Sequence, residues 1–333
     1  MEVKEVSVII PTLNEEFFIS FCLDSVLAQS YPMEQLNIMV IDGGSKDRTR
    51  EIVLEYAEKN SNICLLDNPG KIQSIAFNIG VEVSDSPYVI RLDAHALYDE
   101  RYIELCVKKL KSHPEVGNVG GRWEIRSSRK GLIPEANAIL NQVSFGIGGA
   151  SFRVGAEPGY VDTVPFGAFS RKVLQQVGGM REDLVRGEDN EFNSRIRWCG
   201  YKIYFDPNIV CTYFARPTLF GSMKQMYANG HSIGFLFYID KQSVGLRHLV
   251  PLFFVLSLIV CWIMGFFVSV FFYLLYLCLG LYFFAAIMAA IFAGLKFGLK
   301  YVIILPIIFF CIHISYGCGT IIGLLKGIRN IGL

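Results

Sequence analysis

The chain has 333 residues, 52% of them hydrophobic, with a formal net charge of +1. That near-neutral balance excludes the basic excess of a nucleic-acid binder. Nine cysteines without a C-x-x-C pair read as buried or membrane-embedded thiols rather than a zinc site or a disulfide framework.

The N-terminus, "MEVKEVSVII", carries acidic residues and starts a strand at once. It reads as no signal peptide, so the N-terminal domain is expected in the cytoplasm. "VSVIIPTLNE" is a short β-rich run ended by Pro11 and Asn14, and "EEFFISFCLDSVLAQS" has apolar residues at helical spacing. "LNIMVID" is a second strand, stopped by "GGSKDRT", and "REIVLEYAEK" a helix. "NICLLD", "KIQSIAFNIGVEVS" and "PYVIRLDAH" continue the alternation as strand, helix and strand. Such an order implies parallel pairing through right-handed crossovers. Ligands in these sheets bind beyond the carboxyl ends of the strands, where Pro11-Thr12, Asp42-Gly43 and Asp93-Ala94-His95 all fall.

Further on, the glycine-rich Gly146–Tyr160 stretch reads as a mobile loop or an ordered surface meander. "FGAFSRKVLQQVGG" reads as a strand end and a helix. "GEDNEFNSRIRWCG" is a helix with acids at its start and Arg in its later turns, as the helix dipole favours. "RPTLFGSMKQMYANGHSIGFLFYIDK" suits an interfacial platform or a surface helix packed on the domain. From Leu249 to Ala293 there is no charged residue, enough for two spans of about 20 residues joined by a tight turn. Lys296 and Lys300 then precede "YVIILPIIFFCIHISYGCGTIIGLL", a third candidate span. The positive-inside rule favours a cytoplasmic loop at Lys296 and Lys300, whereas Lys326 and Arg329 oppose it.

The chemistry concentrates in three places. On an extended chain Asp93 and His95, two positions apart, face one side. A carboxylate and an imidazole so placed can hold one divalent cation while a diphosphate completes its coordination; a strand-ending Asp that caps the next turn is the alternative. Asp42, followed by Gly43 and Gly44, can accept from a base or ribose hydroxyl, or cap the next helix. Glu188 and Asp189 can take a proton from a hydroxyl, or cap their helix.

Taken together, "VSVIIPTLNE", "VIDGGSKDRT", "NPGKIQSIAFNIG", "RLDAHA" and "GEDNEFNSRIRWCGYKI" resemble, in this order, family-2 glycosyltransferases of the GT-A fold, from about Val6 to Phe214. "RVGAEPGYVDTVPFGAF" and "VGLRHLVPLFFVLSL" resemble the membrane-anchored branch of succinoglycan and exopolysaccharide biosynthesis. The resemblance implies an α/β GT-A domain with a Rossmann-like, mostly parallel sheet, followed by transmembrane helices. The expected division is a catalytic domain at 1–215, an interfacial connector at 216–247 and a membrane region at 248–333.

The implied residue roles follow the motifs. Pro11, Thr12, Glu15 and Asp42 match positions for the nucleotide's base and ribose, and Lys71 and Asn78 positions near the nucleotide-sugar. Asp93 and His95 match the D-x-D metal motif with His in place of the second Asp, so Mn²⁺ or Mg²⁺ is the implied cofactor. Imidazole, softer than carboxylate, tilts the choice toward Mn²⁺. Asp189 matches the general base of inverting members, with Glu188 beside it. Processive members carry Q-x-x-R-W before their membrane helices. Here "KQMYANGHSIG" has Gln225 and no Arg-Trp after it, which implies one sugar added per encounter.

The implied function is inverting transfer of one sugar from a nucleoside-diphosphate sugar, a UDP-sugar by expectation. The acceptor is a polyprenyl-diphosphate-linked glycan at the plasma membrane. Transfer to free polyprenyl phosphate is the live alternative. A transporter subunit with a nucleotide-sensing domain is a poor fit, because His313 is the one ionisable residue well inside the third apolar run. A catalytically dead binding module is opposed by retention of Asp93, His95 and Asp189.

Overall fold

The computed structural model describes residues 3–331. Strand β1 (Val6–Thr12) leads to α1 (Ile19–Leu27), β2 (Leu36–Asp42) to α2 (Thr49–Lys59) and β3 (Ile63–Asp67) to α3 (Gln73–Glu82). Next come β4 (Tyr88–Arg91), β5 (Ala96–Tyr98), α4 (Tyr102–Ser112) and β6 (Val116–Ser127). Short helices α5 (Leu132–Leu140), α6 (Ser144–Ile147) and α7 (Ser151–Val154) follow, then β7 (Gly159–Val161) and β8 (Ala168–Ser170). The chain continues through α8 (Arg171–Val177), α9 (Glu188–Trp198), β9 (Lys202–Ala215) and α10 (Leu219–Ile239). It ends with α11 (Leu246–Gly265), α12 (Val270–Phe297) and α13 (Leu305–Ile331). Two compact units emerge: one runs to Glu124 and resumes over Gly155–Tyr213, the other comprises Ile125–Val154 and the chain from Phe214.

The first unit is built on a nine-stranded sheet of order β3-β2-β1-β4-β8-β6-β9-β5, with β7 on β9. The strand–helix alternation yields the parallel half, β1 against β2 and β4, and β2 against β3. Antiparallel strands extend it, β8 against β4 and β6, and β5 and β7 against β9. Parallel strands covered on both faces must be apolar throughout, and Val8, Ile10, Ile38, Val40 and Ile90 are fully buried. Burying each such side chain contributes about 1.5–3 kcal/mol. The register pairs Thr12 with Asp42 and Asp42 with Asp67 at one edge, while β1 and β4 stop pairing at Ile9 and Arg91. That edge carries the site.

In the second unit, α11, α12 and residues Leu305–Ile328 of α13 are long and apolar enough to cross a membrane. The tight turn expected between the first pair spans Phe266–Ser269. Helices α10 and α13 run parallel with their backbones touching. A Cβ on Gly319 would stand 2.1 Å from the Tyr227 carbonyl oxygen, and one on Gly323 2.1 Å from that of His231. Only small residues allow such an approach. The glycine-rich segment is ordered at its start: the Gly146 carbonyl meets His313 Nε2 at 2.9 Å, and the Tyr282 hydroxyl meets His313 Nδ1 at 2.8 Å. The loop before α13 is tied to α5, since Lys300 Nζ and the Tyr301 hydroxyl both donate to Glu135.

Candidate active site

Three loops at the carboxyl ends of β1, β2 and β3 are laced together. Asn14, at φ 56°, accepts from the Lys46 amide and donates its own amide to Ser45 Oγ at 2.7 Å. The Glu15 amide donates to Thr49 Oγ1 at 2.8 Å, and the Glu16 amide to Asp47 at 3.1 Å. A Cβ on Gly43 would lie 3.3 Å from the Lys71 Cα, so the third loop rests against the second. Lys71 itself has φ 62°, a conformation a non-glycine residue holds only when its surroundings impose it.

These loops and the end of β4 border a cleft of about 180 Å³. Pro11, Thr12, Glu15, Lys71, Asp93 and His95 all line it, joined by Asn68 and Gln73, which the motif pattern did not single out. Asp42 and Asn78 are not among the lining residues. The Asp42 side chain is fully buried and accepts from the Gly44 and Ser45 amides, the Ser45 hydroxyl and Arg50 Nη1 at 2.9 Å. Burial alone would raise its carboxyl, but Ser45 and Arg50 hold it below its ordinary value. Asp42 caps its own loop; Asp47, not Asp42, accepts from the Thr49 amide at the start of α2. Asn78 clamps α3 to the segment after α8, exchanging hydrogen bonds with Met180 through both amide atoms at 2.8 Å and reaching Glu182 at 2.9 Å.

The geometry of Asp93 and His95 differs from the extended-chain expectation. Strand β4 ends at Arg91, and Ala94-His95 form a turn closed by the Ala96 amide on the Asp93 carbonyl at 3.3 Å. The turn is needed because β5 leaves β4 to pair with β9. Both side chains still reach the cleft. Asp93 Oδ1 accepts from Gln73 Nε2 at 2.7 Å and Arg91 Nη2 at 3.1 Å. His95 Nδ1 lies 3.0 Å from Glu15 Oε1, so Glu15 orients an imidazole. A carboxylate behind a histidine is the usual support of a metal ligand. Among the described residues no three His, Cys, Asp or Glu side chains gather into a metal cage. Two side chains at an open cleft fit a cation whose other positions are filled by water and a diphosphate, and do not fit an all-protein cage.

Glu188 and Asp189 open α9 after Gly187, whose φ of 79° starts the helix sharply. They share the helix's first turn with Glu191, and Arg195 and Arg197 sit in its last, as the charge pattern implied. Behind Asp93 and Asp189 lies Arg91, which the sequence reading missed; a lone cation inside the apolar run "YVIRL" was the available signal. Its side chain is 3% exposed, and it pairs with Asp189, with Asp93 and, at 3.9 Å, with Glu188. Burial alone would lower the guanidinium's pKa, yet Asp189, Asp93 and Glu188 hold it firmly charged. Burial and the neighbouring Asp189 push Glu188 up to about 7. Burial also pushes Asp189 upward, against the pull of Arg91. Its side chain is 34% exposed and bonded directly to Arg91, so water and the guanidinium both temper that push.

Known proteins resemble this chain in sequence and in fold. The family model "Glycosyl transferase family 2" matches residues 7–178. The chain is 29% identical over 97% of its length, and 98% of the relative's, to dolichyl N-acetyl-alpha-D-glucosaminyl phosphate 3-beta-D-2,3-diacetamido-2,3-dideoxy-beta-D-glucuronosyltransferase of Methanococcus voltae. It is 28% identical to the succinoglycan biosynthesis protein ExoA of Rhizobium meliloti over 74% of each chain. Among solved structures, the mannosyltransferase PcManGT from Pyrobaculum calidifontis, in complex with GDP-Man and Mn²⁺, superposes with a TM-score of 0.61. That match, 20% identical over 99% of this chain and 88% of the other, is one of fold. With its parallel sheet half, its cleft at the strand ends and its apolar C-terminal helices, the chain is a GT-A glycosyltransferase and belongs to glycosyl transferase family 2.

Proposed function

We propose that the protein moves one sugar, with inversion, from a nucleoside-diphosphate sugar to a hydroxyl of a saccharide carried on a polyprenyl phosphate or diphosphate. One observation carries this reading: a single cleft edge gathers Pro11, Thr12, Glu15, Lys71, Asp93 and His95, and Arg91 ties Asp93 to Asp189. Pro11, Thr12 and Lys71 hold the nucleotide and its phosphates. Asp93 and His95 would hold a divalent cation, Mn²⁺ or Mg²⁺, with Glu15 orienting the imidazole. When bound, such a cation offsets charge developing on the departing diphosphate. Asp189 accepts the proton of the acceptor hydroxyl as that oxygen attacks the anomeric carbon from the opposite face. Glu188, pushed up to about 7 by burial and by Asp189, is only partly charged near neutrality and so sets less negative charge beside that carboxylate.

The donor in this reading is a UDP-sugar. The acceptor class is supported by the Methanococcus voltae relative, whose name specifies a dolichyl-phosphate-linked N-acetylglucosamine, and by α11–α13. In this reading residues 1–215 form the catalytic domain on the cytoplasmic side of the cell membrane. Residues 216–247 form the connector and 248–333 the multi-pass anchor. A fixed membrane acceptor then needs only a search in two dimensions.

The test uses the full chain in detergent, given UDP- or GDP-sugars singly with Mn²⁺, Mg²⁺ or EDTA. The acceptor is a polyprenyl-diphosphate-linked saccharide in one arm and free polyprenyl phosphate in another. Cation-dependent release of one nucleoside diphosphate with the saccharide acceptor, abolished by Asp93→Ala, is the expected result. Turnover with polyprenyl phosphate alone would establish the rival acceptor. Transfer that survives both EDTA and Asp93→Ala would overturn the assignment of Asp93 and His95.

A further inference from the structure

We propose that Arg91 is a positioning residue for sugar transfer: its one buried guanidinium holds the acceptor-side carboxylate, Asp189, and the diphosphate-side carboxylate, Asp93, in a single fixed arrangement. The inference rests on the roles given to Asp93 and Asp189 above and adds what sets them relative to one another.

Arg91 is the last residue of β4, a strand paired on both sides, parallel to β1 and antiparallel to β8. Its amide donates to the Gly167 carbonyl at 3.0 Å, where the chain passes through Phe166 and Gly167, at φ 61° and 112°. The backbone that carries the guanidinium is therefore fixed on both flanks. The two terminal nitrogens divide the work: Nη2 donates to Asp93 at 3.1 Å, and Nη1 donates to Asp189, 98 positions away in sequence. A planar guanidinium sets the angle and separation of two such bonds, which an ammonium on a flexible stem does not.

The exposures give the direction. Arg91 is 3% exposed, Asp93 16% and Asp189 34%. The cation thus sits behind two carboxylates that face outward, placed to hold them and not to touch substrate. Its buried Nε–H has no hydrogen-bond partner among the described residues. Here the guanidinium's orientation follows the two carboxylates. One turn further along the same face of α9, Asn193 accepts from Asn118 at 2.7 Å and donates to Thr163 at 3.0 Å, so the helix itself is anchored beside Asp189. On that helix Arg91 holds the Asp189 side chain, with Glu188 further off at 3.9 Å.

The test is a double-mutant cycle on the full chain in detergent, with Arg91→Gln, Arg91→Lys, Asp189→Asn and Arg91→Gln/Asp189→Asn. Turnover is read with the donor and acceptor found above, and UDP or GDP binding with Mn²⁺ is read by calorimetry. Arg91→Gln should lower kcat by about 10²-fold, within the range for losing a positioned base, with donor KM moved by less than about 3-fold, the mark of an interaction made in the transition state. In the Asp189→Asn background the same substitution should lower kcat by only about 10-fold, the share that runs through Asp93, because residues acting as one unit are not additive. Arg91→Lys should keep nucleotide binding and the melting temperature without restoring kcat.

Equal losses from Arg91→Gln in both backgrounds would overturn the proposal, as would full kcat in Arg91→Lys. Should Arg91→Gln fail to fold, the Lys variant decides alone. If Asp189→Asn turns over at the wild-type rate, the base assignment fails first, and that outcome is visible before the cycle is closed.

Discussion

Replacing Asp189 by Asn is the most informative single change, because it separates the two acceptor chemistries. The amide keeps the side chain's shape but cannot take a proton. A positioned general base contributes about 10²–10⁴-fold, so the barrier for transfer to a sugar hydroxyl should rise by about 2.7–5.4 kcal/mol at 1.36 kcal/mol per tenfold. The effect on folding is smaller. Removing one partner of a fully buried ion pair costs about 3–5 kcal/mol. Here the Asp189 side chain is 34% exposed and Arg91 retains Asp93 at 3.1 Å, so the loss should approach that of one hydrogen bond, about 1–2 kcal/mol. A lipid phosphate is itself an anionic nucleophile and needs no base. Transfer to it should fall less than about tenfold, far below the range for a lost base. The assay measures initial rates with each acceptor for wild type and variant, beside a thermal melt in the same detergent. If hydroxyl transfer falls by less than about tenfold while the fold is intact, Asp189 is not the base that transfer requires.

Other expectations follow from neighbouring contacts. Glu15→Gln removes the carboxylate behind His95 Nδ1, and the activating Mn²⁺ concentration should rise by about 10–100-fold, measured by cation titration of turnover. Asn78→Ala removes the hydrogen bonds to Met180 and Glu182; it should lower stability by about 1–3 kcal/mol and leave donor KM unchanged, a pattern that steady-state kinetics and melting together check. Glu188 is held up to about 7 in the folded protein, above its unfolded value. Its contribution to stability is therefore complete below about pH 4.5 and is lost as pH rises through about 7. Glu188→Gln should flatten the decline in melting temperature across that window. Gly319→Val drives a side chain into the Tyr227 carbonyl, 2.1 Å from the built Cβ. It should destabilise the α10–α13 pair by about 1–3 kcal/mol, seen as a lower melting temperature in detergent.

The parallel half of the sheet was readable along the chain because each strand and helix announces itself within about ten residues, through apolar period and turn chemistry. β1 to β3 and α1 to α3 lie where those patterns place them, and β4 stops at Arg91, short of the expected end at His95. Of the antiparallel half, only β8 and the helix after it were readable. β6 and β9 are long strands whose partners lie far away in sequence, and nothing local declares a distant partner. The metal motif was legible as chemistry and misleading as geometry: Asp93 and His95 share the cleft through a turn, not through strand alternation. Asn78 shows the converse, a motif position whose amide is committed to Met180 and Glu182.

By itself the sequence determined what local forces determine: strand-end loops rich in polar and glycine residues, and a charge-free run long enough to cross a membrane. Tertiary structure alone decided which charges share a buried site. Arg91, which holds Asp93, meets Asp189 98 positions further along the chain, and the touching glycines join α10 to α13. Ion pairs and backbone contacts of that kind depend on distance in space, and propensity and periodicity carry no record of it.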